Sequence, residues 1–276
     1  MPVIATNNAA NAALLYLNAN SANESSALSK LASGSNIVKA SDDAAGLAIG
    51  TELKSDVTVL SQAATNASQG SSILQVADGG LSSISNILQR LYALATQAAS
   101  GNVSDTQRTA DIGAEFTQLV SEISTVMSST TYGSQSLLDG TYSSTAFIVG
   151  TSSSDSITVS LSALSSTISA ALALAMSNIS SASNAQATMS TLSSAIDSLT
   201  GYRANVGALE SQFNYSSDSI STNKQNTSAA ASTIMDADEA AQKSALSSAD
   251  VLSQAAIAAL SQASKMPQEL LSLLQS

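Results

Sequence analysis

The sequence predicts a mainly α protein, an elongated antiparallel helical bundle or coiled coil with a small β-hairpin at its centre. Three observations predict it. Ala and Ser dominate a chain of 276 residues that holds only 2 Pro, and Ala is the best helix former. Apolar residues recur at helical or heptad spacing over most of the length. Only residues 129 to 161 change character, becoming rich in Ser, Thr, Gly and Tyr.

Composition narrows the function as well. Just 3% of the residues are aromatic and 11% charged, against about a quarter charged in a usual globular domain. Such a chain lacks bulky core anchors and a salt-rich surface, so its helices must touch along their lengths. A formal net charge of -11 argues against phosphate backbones, and nucleic acid is not an expected partner. With no Cys and no His, disulfides, thiolate nucleophiles, imidazole bases and nearly every zinc or haem site are excluded. Neither catalysis nor a cofactor is expected. No run of about 20 apolar residues exists, so membrane insertion is not expected either. Met1-Pro2-Val3-Ile4 lacks the basic start and apolar core of a secretory signal, which alone reads as cytoplasmic.

In chain order, residues 3 to 38 read as a helix with a weak seam. Leu14 and Leu17 begin it, Ser21 and Glu24 interrupt it, and Leu28 and Leu31 resume it. The polar middle makes this a poor helix alone, so it needs a partner to order. Gly34 breaks the pattern. Ser41-Asp42-Asp43 then offers side-chain oxygens ahead of a new periodic run, a helix start. Leu53, Val57, Leu60, Ala64, Ala67 and Leu74 keep heptad spacing. Gly79-Gly80 is expected to be a flexible point, after which Leu81, Ile84, Leu88, Leu91 and Ala95 resume. Ser100-Gly101-Asn102 is a stop and turn. A helix follows from about Thr106 to Ser128, burying Ile112, Phe116, Leu119, Val120, Ile123 and Met127.

The β signal comes next. Thr145-Ala-Phe-Ile-Val-Gly150 and Ser156-Ile-Thr-Val-Ser-Leu161 flank Thr151-Ser-Ser-Ser-Asp155, which reads as a hairpin. Helix is expected again from Leu164, with Ile179, Met189, Leu192, Ile196, Leu199, Val206, Leu209 and Phe213 apolar. The most regular seam lies last: Ala245, Ala249, Leu252, Ala256, Ala259, Ala263, Met266, Leu270 and Leu273, spaced four, three, four, three. That 3.5-residue period needs helical partners, and its Ala content buries little area against any one of them. The two amphipathic ends are therefore expected to pair antiparallel, with the chain turning back at the hairpin. A 45-residue helix would run about 70 Å.

Several of these stretches are also motifs. Leu31-Ala-Ser-Gly-Ser-Asn-Ile-Val-Lys-Ala-Ser-Asp-Asp-Ala-Ala-Gly-Leu-Ala-Ile49 closely resembles the N-terminal signature of bacterial flagellin, and Leu88-Gln89-Arg90 with Leu94-Ala95 resembles its next block. Tyr202-Arg203-Ala-Asn-Val-Gly-Ala-Leu-Glu-Ser-Gln-Phe213, Ile234-Met-Asp236-Ala-Asp238 and Met266-Pro-Gln-Glu-Leu-Leu-Ser-Leu-Leu274 are similar to its C-terminal motifs, in order. The resemblance covers about residues 1 to 135 and 180 to 276.

It implies an extracellular filament subunit, exported unfolded by the flagellar type III apparatus with an export chaperone. It also implies polymerisation with other copies under a distal cap, beyond the hook-filament junction proteins. Residues 1–40 and 233–276 would form the inner-tube layer called D0. Residues 41–132, the hairpin region 133–163 and the helix 164–232 would form D1. Only the short hairpin region joins the halves, so the form is expected to lack outer variable domains. The implied filament-packing residues are Leu14, Leu17, Leu28, Leu31, Leu252, Ala256, Ala259, Ala263, Met266, Leu270 and Leu273. Pro267 would disturb an isolated helix, but a packed kink accommodates it.

Other residues carry bland and sharper readings. Ser41, Asp42, Asp43, Asp236 and Asp238 read as the D0–D1 junction. Asp42-Asp43 is read as a helix cap rather than a metal pair. Asp236, Asp238 and Glu239 lack the Gly and terminal Glu of a calcium loop. Gln89, Arg90, Leu94 and Glu115 match positions at which the innate receptor TLR5 recognises some flagellins, with protofilament packing as the main expected role. Tyr92-Ala93 and Leu119 replace charged residues usual there, which counts against TLR5 recognition. Ser143, Ser144, Thr145, Ser152, Ser153 and Ser154 are candidate O-glycosylation sites by the same resemblance. Two alternatives stand beside a filament subunit, a hook-filament junction protein and a secreted adhesin or receptor ligand. The complete C-terminal block down to Leu274 favours the filament subunit.

Overall fold

The computed structural model describes residues 7–161, 168 and 179–274. Its elements, in order, are α1 (Asn8–Ser33), α2 (Ala44–Ala99), a short α3 (Asp105–Gln107), a π-helical turn (Arg108–Ile112) and α4 (Gly113–Ser129). Four short strands follow, β1 (Thr131–Tyr132), β2 (Gln135–Ser136), β3 (Thr145–Ile148) and β4 (Ser156–Val159), then α5 (Ala182–Met235) and α6 (Glu239–Leu274). The fold is mainly helical, with long helices packed antiparallel and strands confined to the middle. The helix expected from Leu164 lies outside the described residues until 179, apart from Ile168, which is buried.

Contacts divide the chain into two units. One comprises Val57–Gln225; the other is built from residues up to Asp56 and from Asn226 onward. Both divisions fall inside α2 and α5, whereas the limit expected near residue 40 sits between α1 and α2 and the one near 233 in the last turn of α5.

In the Val57–Gln225 unit, the heptad positions of α2 become the wall of a contiguous apolar core. Leu74, Leu81, Ile84, Leu88 and Leu91 are fully buried in it, beside Phe116, Val120 and Ile123 of α4 and Leu192, Leu199, Val206 and Phe213 of α5. Hydrogen bonds fix the direction of travel. Lys224 donates to Ser61 at 3.2 Å, Gln75 to Glu210 at 2.9 Å and Arg203 to Asp78 at 2.9 Å, so α5 runs antiparallel to α2.

Gly79-Gly80 is not the flexible point expected. The α2 helix continues through both residues, because its own hydrogen bonds and the leucines on either side hold it. Gly80 serves close approach instead: a Cβ there would lie 2.6 Å from Thr130 Oγ1 and 2.8 Å from Leu138 Cδ1. Gly70 does the same under the Phe213 ring, whose nearest atoms would be 2.5 Å from an added Cβ.

The hairpin β3–β4 pairs Thr145 with Val159 and Phe147 with Ile157. Its turn is closed by Val149 N–H donating to Asp155 O at 2.8 Å. Phe147 meets Phe213 edge-on, with ring centroids 5.5 Å apart, and Asn66 Nδ2 donates to Ile148 O at 2.9 Å. The hairpin is thereby pinned to both long helices. A second hairpin, β1–β2, turns at Gly133 with φ +63. Two-residue strands leave no periodicity to read, so the sequence pattern missed it.

Gly70→Ala and Gly79→Ala make opposite predictions. Each gains about 1 kcal/mol of helix propensity, but at Gly70 the overpacking cost of about 1–3 kcal/mol prevails. Gly79 has nothing within 4 Å of the added methyl. Thermal melts should show Gly79→Ala raised and Gly70→Ala lowered.

Candidate functional site

The two chain ends meet in α1 and α6. Asn7 caps α1 by accepting from Ala10 N–H at 3.0 Å, and its Nδ2 donates across to Ala263 O at 2.7 Å. Near the other end Ser35 bridges Asp236 in an antiparallel pairing. The helices are therefore antiparallel, α1 starting where α6 is well advanced. The least exposed residues form one stripe on each. On α1 it is Ala10, Ala13, Leu17, Asn20, Glu24, Ala27 and Leu31, and on α6 it is Gln242, Leu246, Ala249, Ser253, Ala256, Leu260 and Ala263.

This stripe uses only half of the expected seam. Leu17, Leu31, Ala256 and Ala263 line it, but Leu14, Leu28, Leu252, Ala259 and Met266 are exposed, Leu252 at 54% and Leu14 at 48%. On α1 the reason is side-chain size. A heptad seam needs two adjacent rows, and the row beside Leu17 and Leu31 is Ala13, Asn20 and Ala27, whose short side chains permit close approach. Leu14 and Leu28, one position on, are left outside. On α6 the row Leu246, Ser253, Leu260 is chosen over Ala245, Leu252, Ala259. The side chains of Leu270 and Leu273 lie outside the described residues.

Between α1 and α2, and between α5 and α6, the backbone is strapped together. Asn36 N–H donates to Met235 O at 2.7 Å, Ala237 N–H to Gly34 O at 3.0 Å and Ser35 Oγ to Met235 O at 3.0 Å. Each aspartate there works locally. Asp43 caps α2 through Gly46 N–H at 2.9 Å, and Asp238 caps α6 through Ala241 N–H at 3.0 Å. Asp42 accepts from Lys39 and Val38 N–H at 2.9 and 3.1 Å, bonds that hold its carboxyl below the usual aspartate range. Asp236 accepts from Ser232 Oγ, while Ser41 sits exposed in the turn. Among the described residues no group of three or more His, Cys, Asp or Glu could hold a metal.

In the other unit Gln89 is exposed and Arg90 pairs with Glu115 at 2.6 Å on the surface. Leu94 must be removed from any surface epitope: it is 3% exposed, because it continues the core-facing row of α2. Ser143, Ser144 and Ser152 to Ser154 are exposed, and Thr145 is half-buried in β3. Sequence reasoning missed Arg108. It is buried beside the end of α2, donating to the carbonyls of Ala98, Ser100 and Val103 and pairing with Asp105. A cation there satisfies orphan carbonyls and faces the negative helix end. Its only sequence signal was an Arg three residues after Asp105, following a Ser100-Gly101 stop.

Comparison with known proteins follows the same two ends. Residues 4–143 match the bacterial flagellin N-terminal helical region, and residues 189–274 match the bacterial flagellin C-terminal helical region. The chain belongs to the bacterial flagellin family. It is 35% identical over 274 residues to a flagellin of Listeria monocytogenes, covering 95% of each, and 32% identical over 249 residues to one of Halalkalibacterium halodurans, covering 90% and 91%. The crystal structure of Bacillus cereus flagellin matches 60% of this chain and 94% of its own, at 27% identity and a TM-score of 0.51. A putative flagellar hook-associated protein from Vibrio parahaemolyticus shares the fold, with a TM-score of 0.55 over 71% of this chain and 12% identity.

Flagellin is a structural family, and this member is a structural subunit of the bacterial flagellar filament, which lies outside the cell. No helix among the described residues is long and apolar enough to cross a membrane. Two tests follow from the side-chain geometry. Replacing Arg108 by Ala leaves buried carbonyls without a donor, and stability of the core unit should fall by about 2–4 kcal/mol in denaturant melts. Because the folded Asp42 carboxyl is depressed, its bonds to Val38 and Lys39 are complete above the ordinary aspartate range and lost as pH falls through the folded value. Protection of the Val38 and Lys39 amides, relative to their intrinsic exchange at each pH, should fall on acidification, and be low at neutral pH in Asp42→Ala.

Proposed function

We propose that the α1·α6 pair is the element through which subunits join, its uncovered apolar faces packing against neighbouring copies to form the inner tube of the filament. In this reading residues 1–40 and 233–276 are the D0 layer. Residues 41–132, 133–163 and 164–232 are D1, and the junction takes in Ser41, Asp42, Asp43, Asp236 and Asp238 beside the strap of Gly34 to Asn36 with Met235 and Ala237. Export would proceed through the type III apparatus. Chaperone, cap and hook-filament junction proteins would be further partners.

One observation carries the proposal. Leu14, Leu15, Tyr16, Val251, Leu252 and Ile257 are all exposed on a helix pair whose shared seam holds six alanines, four leucines and four polar residues. A self-contained coiled coil would turn such large apolar side chains into its seam. Contiguous exposed apolar surface marks an interaction site. Residues that gain burial only on assembly also favour a chain whose ends order at the growing tip.

Leu252→Glu separates folding from assembly. Leu252 is exposed, so the monomer's helix content should not change, whereas elongation of filament seeds should fall at least tenfold because a charge would enter a packed interface. Deleting residues 245–276 should leave a soluble chain that does not elongate seeds at all. Normal elongation by either variant, seen by electron microscopy, would sink the proposal.

A further inference from the structure

Two Asp-Gly steps occur in the chain, Asp78-Gly79 and Asp139-Gly140, and no Asn-Gly step. Such a step carries latent chemistry. Glycine puts no side chain beside its amide nitrogen, so that nitrogen can close on the carboxyl carbon of the preceding aspartate to form a succinimide ring. The two steps sit in opposite surroundings. Asp78-Gly79 lies inside α2, where the helix fixes the backbone, and Arg203 holds its carboxylate at 2.9 and 3.2 Å. Asp139-Gly140 lies in the loop between β2 and β3, with Asp139 exposed. Gly140 has φ +93, a backbone conformation that residues with a side chain rarely adopt. The loop therefore needs the residue that makes the step reactive.

One neighbour opposes the reaction. Asp139 Oδ1 accepts from Thr141 Oγ1 at 2.6 Å and from Thr141 N–H at 2.9 Å, an aspartate bonded to the backbone two residues on. The hydroxyl first and the amide second hold this carboxyl below the usual aspartate range, as bonds to the charged form do. Both features slow ring closure. A carboxyl tied to Thr141 is not free to rotate into line with the Gly140 nitrogen, and misalignment of reacting atoms is costly. An ionised carboxyl is also the poorer electrophile, since its oxygen leaves as water only from the protonated acid.

We propose that Asp139-Gly140 is a site of spontaneous backbone isomerisation that the Thr141 clamp holds in check. The Gly140 nitrogen gives up its proton and bonds to Asp139 Cγ while a carboxyl oxygen departs as water. Water then opens the ring. Hydrolysis at Cγ restores the ordinary linkage, whereas hydrolysis at the main-chain carbonyl carbon leaves Gly140 joined through the Asp139 side chain. The water released in the first step is returned in the second, and no other reagent is consumed. The product backbone is longer by one C–C bond, about 1.5 Å, in a place with little slack. Leu138 and Tyr142 on either side are 0% and 3% exposed, and Tyr142 O accepts from Leu161 N–H at 3.1 Å. Isomerisation therefore loosens the join between the core and the β3–β4 hairpin.

The test keeps the unsubstituted chain, Thr141→Val and Thr141→Ser for weeks in warm neutral buffer. The β-aspartyl linkages at Asp139 and Asp78 are then counted by peptide mass spectrometry with electron-transfer fragmentation. Thr141→Val keeps the shape but loses the hydroxyl, and should isomerise at Asp139 about fivefold faster, while Thr141→Ser stays within about twofold of the unsubstituted chain. Neither should change at Asp78. Equal rates at Asp139 in all three chains overturn the clamp. An equal rise at Asp78 overturns it too, since the fold has then merely loosened. If Thr141→Val does not fold, the unsubstituted chain decides alone. In guanidinium chloride both steps should isomerise at similar rates, and folding should slow the Asp139 step about tenfold. No slowing on folding overturns the clamp, and no β-aspartyl product at Asp139 even when unfolded overturns the site itself.

Discussion

Helices that meet through alanine come close to one another but remove little apolar area from water. At about 25 cal/mol per Å², a seam in which Ala10, Ala13, Ala27, Ala249, Ala256 and Ala263 outnumber Leu17, Leu31, Leu246 and Leu260 stabilises less than one of leucines throughout. The polar Asn20, Glu24, Gln242 and Ser253 within it add register rather than strength. The rest of this end of the molecule depends on that weakness. Its straps at Gly34 to Asn36 and Met235 to Ala237 hold the two strands of chain together by backbone hydrogen bonds. The large apolar Leu14, Leu15, Tyr16, Val251, Leu252 and Ile257 are left exposed.

The Val57–Gln225 unit is built the other way. Leucine, isoleucine and phenylalanine fill a core in which Leu74, Leu81, Leu88 and Phe213 are fully buried, and glycine appears where a helix or ring must come closer than a methyl permits. Gly70 under Phe213 and Gly80 beside Leu138 are two such places. Its apolar rows are covered largely by one another, whereas Leu14, Leu15, Tyr16, Val251, Leu252 and Ile257 of the other unit stay exposed.

The pattern of apolar spacing in α2 and α4 read through to the structure nearly residue by residue. Leu60, Ala67, Leu74, Leu81, Ile84, Leu88, Leu91 and Ala95 are buried, as are Phe116, Val120, Ile123 and Met127. There the apolar rows are flanked by polar ones, and only one face could turn inward. The ends were harder. In α6 the rows at Ala245, Ala249 and their repeats are all apolar or small, so the period was legible but not the direction of the partner. Leu94 entered the candidate epitope through family resemblance, although it occupies the helical position of a core residue.

The sequence by itself determined the helical class, the central β3–β4 hairpin, the helix start at Asp42-Asp43 and the family, because propensity, periodicity and side-chain oxygens before a helix act over a few residues. Only the tertiary structure decided which of two neighbouring rows closes the α1·α6 seam, that Gly80 brings packed chains together rather than loosening α2, and that Arg108 closes the end of α2. Each of these turns on contact between segments distant in the chain or on the path of a loop, where side-chain volume and unsatisfied carbonyls are settled in three dimensions.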